Sequence, residues 1–134
     1  MSTNVIKLVK EYYAAFNAED HDAILKLLTA DVIHDINQGS REVGKEAFSK
    51  FLDRMKNCYK ESIVDIRIMS EYGDLRASAE YTVLGTYLKA DEGLPQAKGQ
   101  NYALPGGAFF DIRDGLIARV TNYYNLQEWL AQVT

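Results

Sequence analysis

Ile63-Val64-Asp65-Ile66-Arg67-Ile68-Met69-Ser70-Glu71 is the stretch on which the fold turns. Before it, apolar residues recur every three or four positions; inside it they alternate, with Val64, Ile66 and Ile68 on one face and Asp65 and Arg67 on the other. A helical period therefore gives way to a strand period just after Cys58. Upstream, Val5, Leu8, Val9, Tyr12 and Phe16 form one stripe of a helix over residues 3–17, with Thr3 or Asn4 as its cap. Asn17-Ala18-Glu19-Asp20 breaks that pattern, and Ile24, Leu25, Leu27 and Leu28 build a shorter helix with Asp20 or Asp22 at its positive end. Val32–Ile36 reads as a short strand closed by the turn Asn37-Gln38-Gly39-Ser40. Phe48, Phe51, Leu52 and Met55 mark a third helix from about Gly44 to Asn57.

Downstream, every segment reads as strand. Leu75–Lys89 is long and rich in Tyr, Thr and Val, and residues 90–99 form a polar loop. Gln100–Ile112 follows, interrupted by Leu104-Pro105-Gly106-Gly107; the proline implies an edge position or a bulge, the glycines a bend or a close approach. Arg113-Asp114-Gly115 turns into Leu116–Tyr124, and Asn125-Leu126-Gln127-Glu128 opens a last helix through Trp129 and Leu130. Helices before a run of strands predict α+β: a curved antiparallel sheet wrapped around three N-terminal helices, with a pocket inside. Alternation predicts Val64, Ile66, Ile68, Phe110 and Ile112 on the concave face. It places Phe109, Tyr81, Val83 and Tyr87 on the other face, too much apolar surface for a monomer, so a homodimer is expected.

Composition bounds the function without reaching it. The 134 residues make one domain, 47% hydrophobic and 25% charged, an ordinary globular balance. Fifteen Lys and Arg against nineteen Asp and Glu give a net charge of -4, with no basic cluster, so nucleic acid is a poor candidate partner and none is expected. Cys58 stands alone, so no internal disulfide forms. The N-terminal residues lack a signal peptide's apolar run, and no stretch approaches the ~20 residues of a membrane span; a cytoplasmic protein without membrane contact is expected.

Tyr12-Tyr13-Ala14-Ala15-Phe16-Asn17-Ala18-Glu19-Asp20, Leu28-Thr29-Ala30-Asp31-Val32 and Phe110-Asp111-Ile112-Arg113-Asp114-Gly115-Leu116-Ile117 follow one another in an order that resembles the nuclear transport factor 2-like superfamily over nearly the whole chain. His34-Asp35-Ile36-Asn37-Gln38-Gly39 and Asn122-Tyr123-Tyr124-Asn125 look most like its SnoaL-like and ketosteroid-isomerase-related members. The resemblance implies a cone-shaped, cystatin-like α+β barrel over residues 1–134, with a cavity for a small apolar or carbonyl-containing molecule. Dimerisation through the outer sheet face is common in that family. Ketosteroid isomerases use an Asp base, a Tyr and a protonated Asp. Their oxyanion tyrosine falls on Tyr12, their base on Ile36 beside Asp35, and their second acid near Ala108. The base of SnoaL-like cyclases falls on Asn125, an amide. Classical steroid isomerisation is thus not implied.

His34, Tyr12 and Asp35 remain as the candidate catalytic residues. His34 shares a strand face with Val32 and Ile36 and is either a general base lining the pocket or a buried neutral imidazole. Asp35 points to the other face unless a bulge intervenes; its alternative is a structural carboxylate serving the following turn. Tyr12 lies on the buried stripe and Tyr13 at its edge, facing outward or toward a subunit partner. Phe16, Ile36, Asn37, Tyr102, Asn122, Tyr123 and Asn125 are the candidate substrate-binding residues, with Tyr124 adding a further hydroxyl. Asn125 has a second reading as the cap of the last helix. Metal ligation is not expected from His21 and His34, no phosphate loop is present, and no cofactor is called for. Two functions follow: cofactor-independent acid/base chemistry (isomerase, cyclase or dehydratase) on an apolar carbonyl compound, or non-catalytic binding of a hydrophobic ligand.

Overall fold

The computed structural model describes residues 2–36, 39–71 and 73–134. In chain order it contains α1 (Ser2–Asn17), α2 (His21–Lys26), β1 (Leu28–Ile36), β2 (Arg41–Val43), α3 (Lys45–Cys58), β3 (Tyr59–Ser70), β4 (Arg76–Tyr87), β5 (Asn101–Arg113), β6 (Leu116–Tyr124) and α4 (Leu126–Val133). The strands form one curved, open sheet in the order β2-β1-β6-β5-β4-β3. The fold is α+β, as expected. The sheet is mixed rather than wholly antiparallel, because β1 runs parallel to β6. The chain leaves β1, doubles back through the short β2 and α3, and only the last strand closes against β1.

α1 packs on β3 and β4 and α3 on β1 and β3, so the helices fill the concave side. Val5, Val9, Ile24, Leu28, Phe48, Leu52, Phe110, Ile117 and Val120 form the centre of the core, all under 5 % exposed. The edge strand β3 is held by a side chain in place of a neighbouring strand. Asn17 donates through Nδ2 to the Ile63 carbonyl at 2.9 Å, and its Oδ1 accepts the Ile63 N–H at 2.8 Å.

Two assignments of sheet face change. Phe110 and Ile112 are buried inside as predicted, but Val64 is 37 % exposed while Ile63 is buried. A bulge is the cause: Asp65 has φ 51°, and the β3–β4 register slips between Val64 and Arg67. Beyond it Ile66 and Ile68 pack partly buried against the core. Tyr81, Val83 and Tyr87, expected outside, are buried. β4 and β5 pair without a slip, setting Ala77 opposite Phe110, Tyr81 opposite Gly106 and Val83 opposite Leu104, so all share the inner face. Of the expected outer set only Phe109 is exposed.

β5 also runs unbroken through Pro105. Its pairing with β6 starts at Gly106, so the proline sits where β5 has no β6 neighbour and needs no amide donor on that side. The close approach expected of the glycines is real: a Cβ on Gly106 would meet the Tyr81 ring at 2.6 Å.

Candidate active site

The sheet and helices line a partly open cavity of about 190 Å3. Its walls are aromatic and aliphatic: Tyr12, Tyr13 and Phe16 from α1, Phe51 and Met55 from α3, Tyr81 and Val83 from β4, and Trp129 from α4. Strand alternation brings Tyr59, Glu61 and Ile63 of β3 to the same wall. Few polar groups interrupt it, which is the usual composition of a small-molecule site.

Glu61 brings a carboxyl to this wall. It pairs across the sheet with Gly85, and Gly85 with Tyr102. Since Gly85 has no side chain, the Tyr102 ring lies across it; a Cβ there would overlap the ring. The Tyr102 hydroxyl thereby reaches two strands over and donates to Glu61 Oε2 at 2.5 Å. Burial pushes the Glu61 pKa up, opposed by that hydrogen bond. A second carboxyl, Asp91, accepts from the Tyr59 hydroxyl at 2.8 Å and has Arg54 Nε at 3.8 Å. Neither Glu61 nor Asp91 stands out in the sequence. A lone Glu in an alternating strand looks solvent-facing, and only the cross-strand register reveals the glycine that admits Tyr102.

Further tyrosines line the same cavity. Tyr12 and Tyr13 are both buried and both line the cavity, so Tyr13 does not face outward as its edge position implied. Their rings meet edge to face at 5.0 Å, and Tyr13 packs against Tyr81 at 5.3 Å. Burial raises the pKa of both, with the neighbouring Tyr81 adding to the shift, and Tyr81 itself is pushed up to about 12, chiefly by burial. They therefore stay protonated and act as donors near neutral pH. The Tyr13 hydroxyl makes no well-formed hydrogen bond, although Tyr81 is close enough to affect its ionisation.

The other predicted residues divide. Phe16, Ile36 and Asn122 line the cavity, as does Tyr124; Tyr123 borders its rim but turns its ring to the convex face, against Phe109 at 5.6 Å. His34 is on the concave side but not on the cavity wall: its ring sits against Phe48 and Phe51, with Nε2 2.8 Å from Asn122 Nδ2. Burial is the main cause that lowers its pKa to about 4, so the imidazole is neutral. Asp35 points to the convex face and forms a two-pronged pair with Arg41 at 2.7 and 3.0 Å, which holds its carboxyl below the usual range. Tyr102 touches Glu61 from behind the wall. Asn125 accepts the Glu128 N–H at 3.1 Å as the cap of α4 and lies outside the cavity. Asn37 falls outside the described residues. Among those described, no three His, Cys, Asp or Glu side chains are grouped to hold a metal ion, and no helix is long and apolar enough to cross a membrane.

The SnoaL-like domain profile matches residues 9–120. The chain belongs to the SnoaL-like family. Solved structures of this family are close to it over their whole length. A candidate polyketide cyclase from Pseudomonas putida is 56% identical, with 100% of this chain and 99% of that one covered and a TM-score of 0.96. One from Xanthomonas campestris is also 56% identical, over 99% and 98% of the two chains, with a TM-score of 0.96. One from Silicibacter is 50% identical over 100% and 98%, again with a TM-score of 0.96. No protein of curated function matches it significantly.

Proposed function

We propose that the cavity carries out cofactor-independent acid/base chemistry on an apolar carbonyl compound, with Glu61 as the proton-transferring group. The observation that supports this reading is a half-buried carboxyl whose pKa is raised, on the wall of a largely apolar pocket, beside phenols that stay protonated. The Glu61 carboxylate takes the proton from the carbon next to the carbonyl. The C–H electron pair moves to the carbonyl oxygen, and a tyrosine hydroxyl, Tyr12 or Tyr13, donates a hydrogen bond to the developing enolate. Return of the proton to another carbon isomerises the substrate; attack by the enolate on a second carbonyl cyclises it. The family's solved members described as candidate cyclases agree with this class of reaction.

The test uses 2-tetralone, an apolar bicyclic ketone, and follows deuterium exchange at its α-carbons by proton NMR. The wild type is expected to accelerate exchange, Glu61→Gln to lose ~10²-fold or more, and one of Tyr12→Phe and Tyr13→Phe, whichever removes the donor, a comparable factor. Tetralone that binds without faster exchange would favour the second reading, a protein that holds a hydrophobic ligand without transforming it. That reading draws on Ala108 and Asn125, where the family's isomerases and cyclases have acids.

A further inference from the structure

One line of polar groups lies at the opposite end of the cavity from Glu61 in the strand order and has no part in the proton transfer. Glu42 of β2 is the register partner of His34 in β1, and His34 that of Val120, two residues before Asn122 in β6. Glu42 Oε1 is 3.9 Å from His34 Nδ1. Both atoms are buried and neither has a hydrogen-bond partner. On the other side of the ring, Nε2 is 2.8 Å from Asn122 Nδ2, and Asn122 lines the cavity. Phe48 and Phe51 hold the imidazole plane with ring centroids 4.7 and 4.4 Å away.

A neutral imidazole carries one N–H, and which nitrogen bears it decides what its neighbours can do. A lone pair at Nδ1 would face the Glu42 carboxylate, two acceptors with no hydrogen between them. A hydrogen at Nδ1 points its positive end at Oε1 across 3.9 Å, too long for a full hydrogen bond but electrostatically favoured over a lone pair there. Nε2 is then an acceptor, which matches the Asn122 Nδ2 set against it. One N–H of the amide is then engaged by the ring, and with the nitrogen held on that side the carbonyl oxygen is the acceptor that the amide turns toward the cavity. We propose that Glu42 and His34 are positioning residues that fix the Asn122 amide with its oxygen toward the cavity, so that the cavity selects apolar ligands presenting a hydroxyl donor there, a phenol or an enol.

This inference rests on the cavity being a ligand site and on nothing about turnover. A hydroxyl at that point satisfies Asn122 Oδ1, whereas an ether or a hydrocarbon leaves a buried acceptor unpaired. Combined with the ketone chemistry at Glu61, the favoured substrate carries a carbonyl and an enolic or phenolic hydroxyl in one apolar skeleton.

Two measurements test it. In a His21→Asn background, which leaves His34 as the sole histidine, long-range proton–nitrogen NMR is expected to show hydrogen on Nδ1; hydrogen on Nε2, or on both nitrogens at pH 7, would overturn the proposal. Calorimetric titration with 2-naphthol and 2-methoxynaphthalene is expected to show about tenfold or greater preference for the naphthol. Glu42→Ala, at the sheet edge, is expected to fold and to bring that preference close to one while the imidazole becomes a mixture of tautomers. Equal binding of the two probes by the wild type, an undiminished preference in Glu42→Ala, or failure of both probes to bind would each overturn it. A protein that leaves tetralone unexchanged yet discriminates between the naphthalenes keeps this inference and loses the catalytic reading.

Discussion

His34 illustrates how one residue's surroundings fix its ionisation. It is 1 % exposed, and its pKa near 4 lies below the ordinary value of 6.5. The unfolded chain therefore takes up a proton at this site between about pH 6.5 and pH 4 while the folded protein does not, and stability falls as pH falls through that window. Between pH 7 and pH 5 the loss from His34 alone is expected to be about 2 kcal/mol. His34→Gln has no ring to titrate, so its urea-unfolding free energy should decline by about that much less over the same interval; equal declines would show that His34 is not held neutral. Tyr102 acts on Glu61 in the same terms. Its donated hydrogen bond favours the carboxylate, so Tyr102→Phe should raise the Glu61 pKa further and move the acid limb of the exchange rate to higher pH. An unmoved limb would separate that limb from Glu61.

Among the elements, α4 was legible as far as its first residue. Asn125 accepts the Glu128 amide as the Asn-Leu-Gln-Glu pattern implies, because a cap is made within one turn of chain. Asn125→Ala should cost about 1 kcal/mol in stability with the exchange rate of the folded protein unchanged; a selective loss of rate would return the residue to the site. The Arg113-Asp114-Gly115 turn and β6 were legible for the same reason, since local backbone preferences decide them. Long-range register was not. The left-handed Asp65 turned Val64 outward, and nothing local announces that an Asp will adopt φ 51°. The phase of β4 was misread because Tyr81, Val83 and Tyr87 look equally suited to either face of a Tyr-rich strand. Glu61 escaped notice because its meaning depends on Gly85 and Tyr102 lying in one row across three strands. β2 escaped because three residues carry no period.

At the scale of the whole molecule, the convex face is divided. Over one part Arg41, Asp35, Thr121, Arg119, Asp111 and Arg76 join in a chain of ion pairs and hydrogen bonds across β2, β1, β6, β5 and β4. Over the rest Met69, Leu84, Phe109 and Tyr123 are exposed, each between 45 and 54 %. A homodimer through this second part is the expected assembly, now resting on Phe109 and these neighbours rather than on Tyr81, Val83 and Tyr87; a monomeric mass in sedimentation at micromolar concentration would count against it. The parallel β1–β6 pairing has a further consequence, in time rather than in space. His34 and Asn122, which stand 88 positions apart, meet only when the last strand is in place. On the ribosome the N-terminal helices and β1 emerge long before their partner, and loop closure of that length is slow compared with hairpin formation among β3, β4 and β5. The antiparallel hairpins of β3 to β6 are thus expected to form before the β1–β6 pairing. β6 joins β5 by the tight Asp114-Gly115 turn, so the contact expected to form last is β1 against β6, which brings His34 to Asn122 at the edge of the cavity.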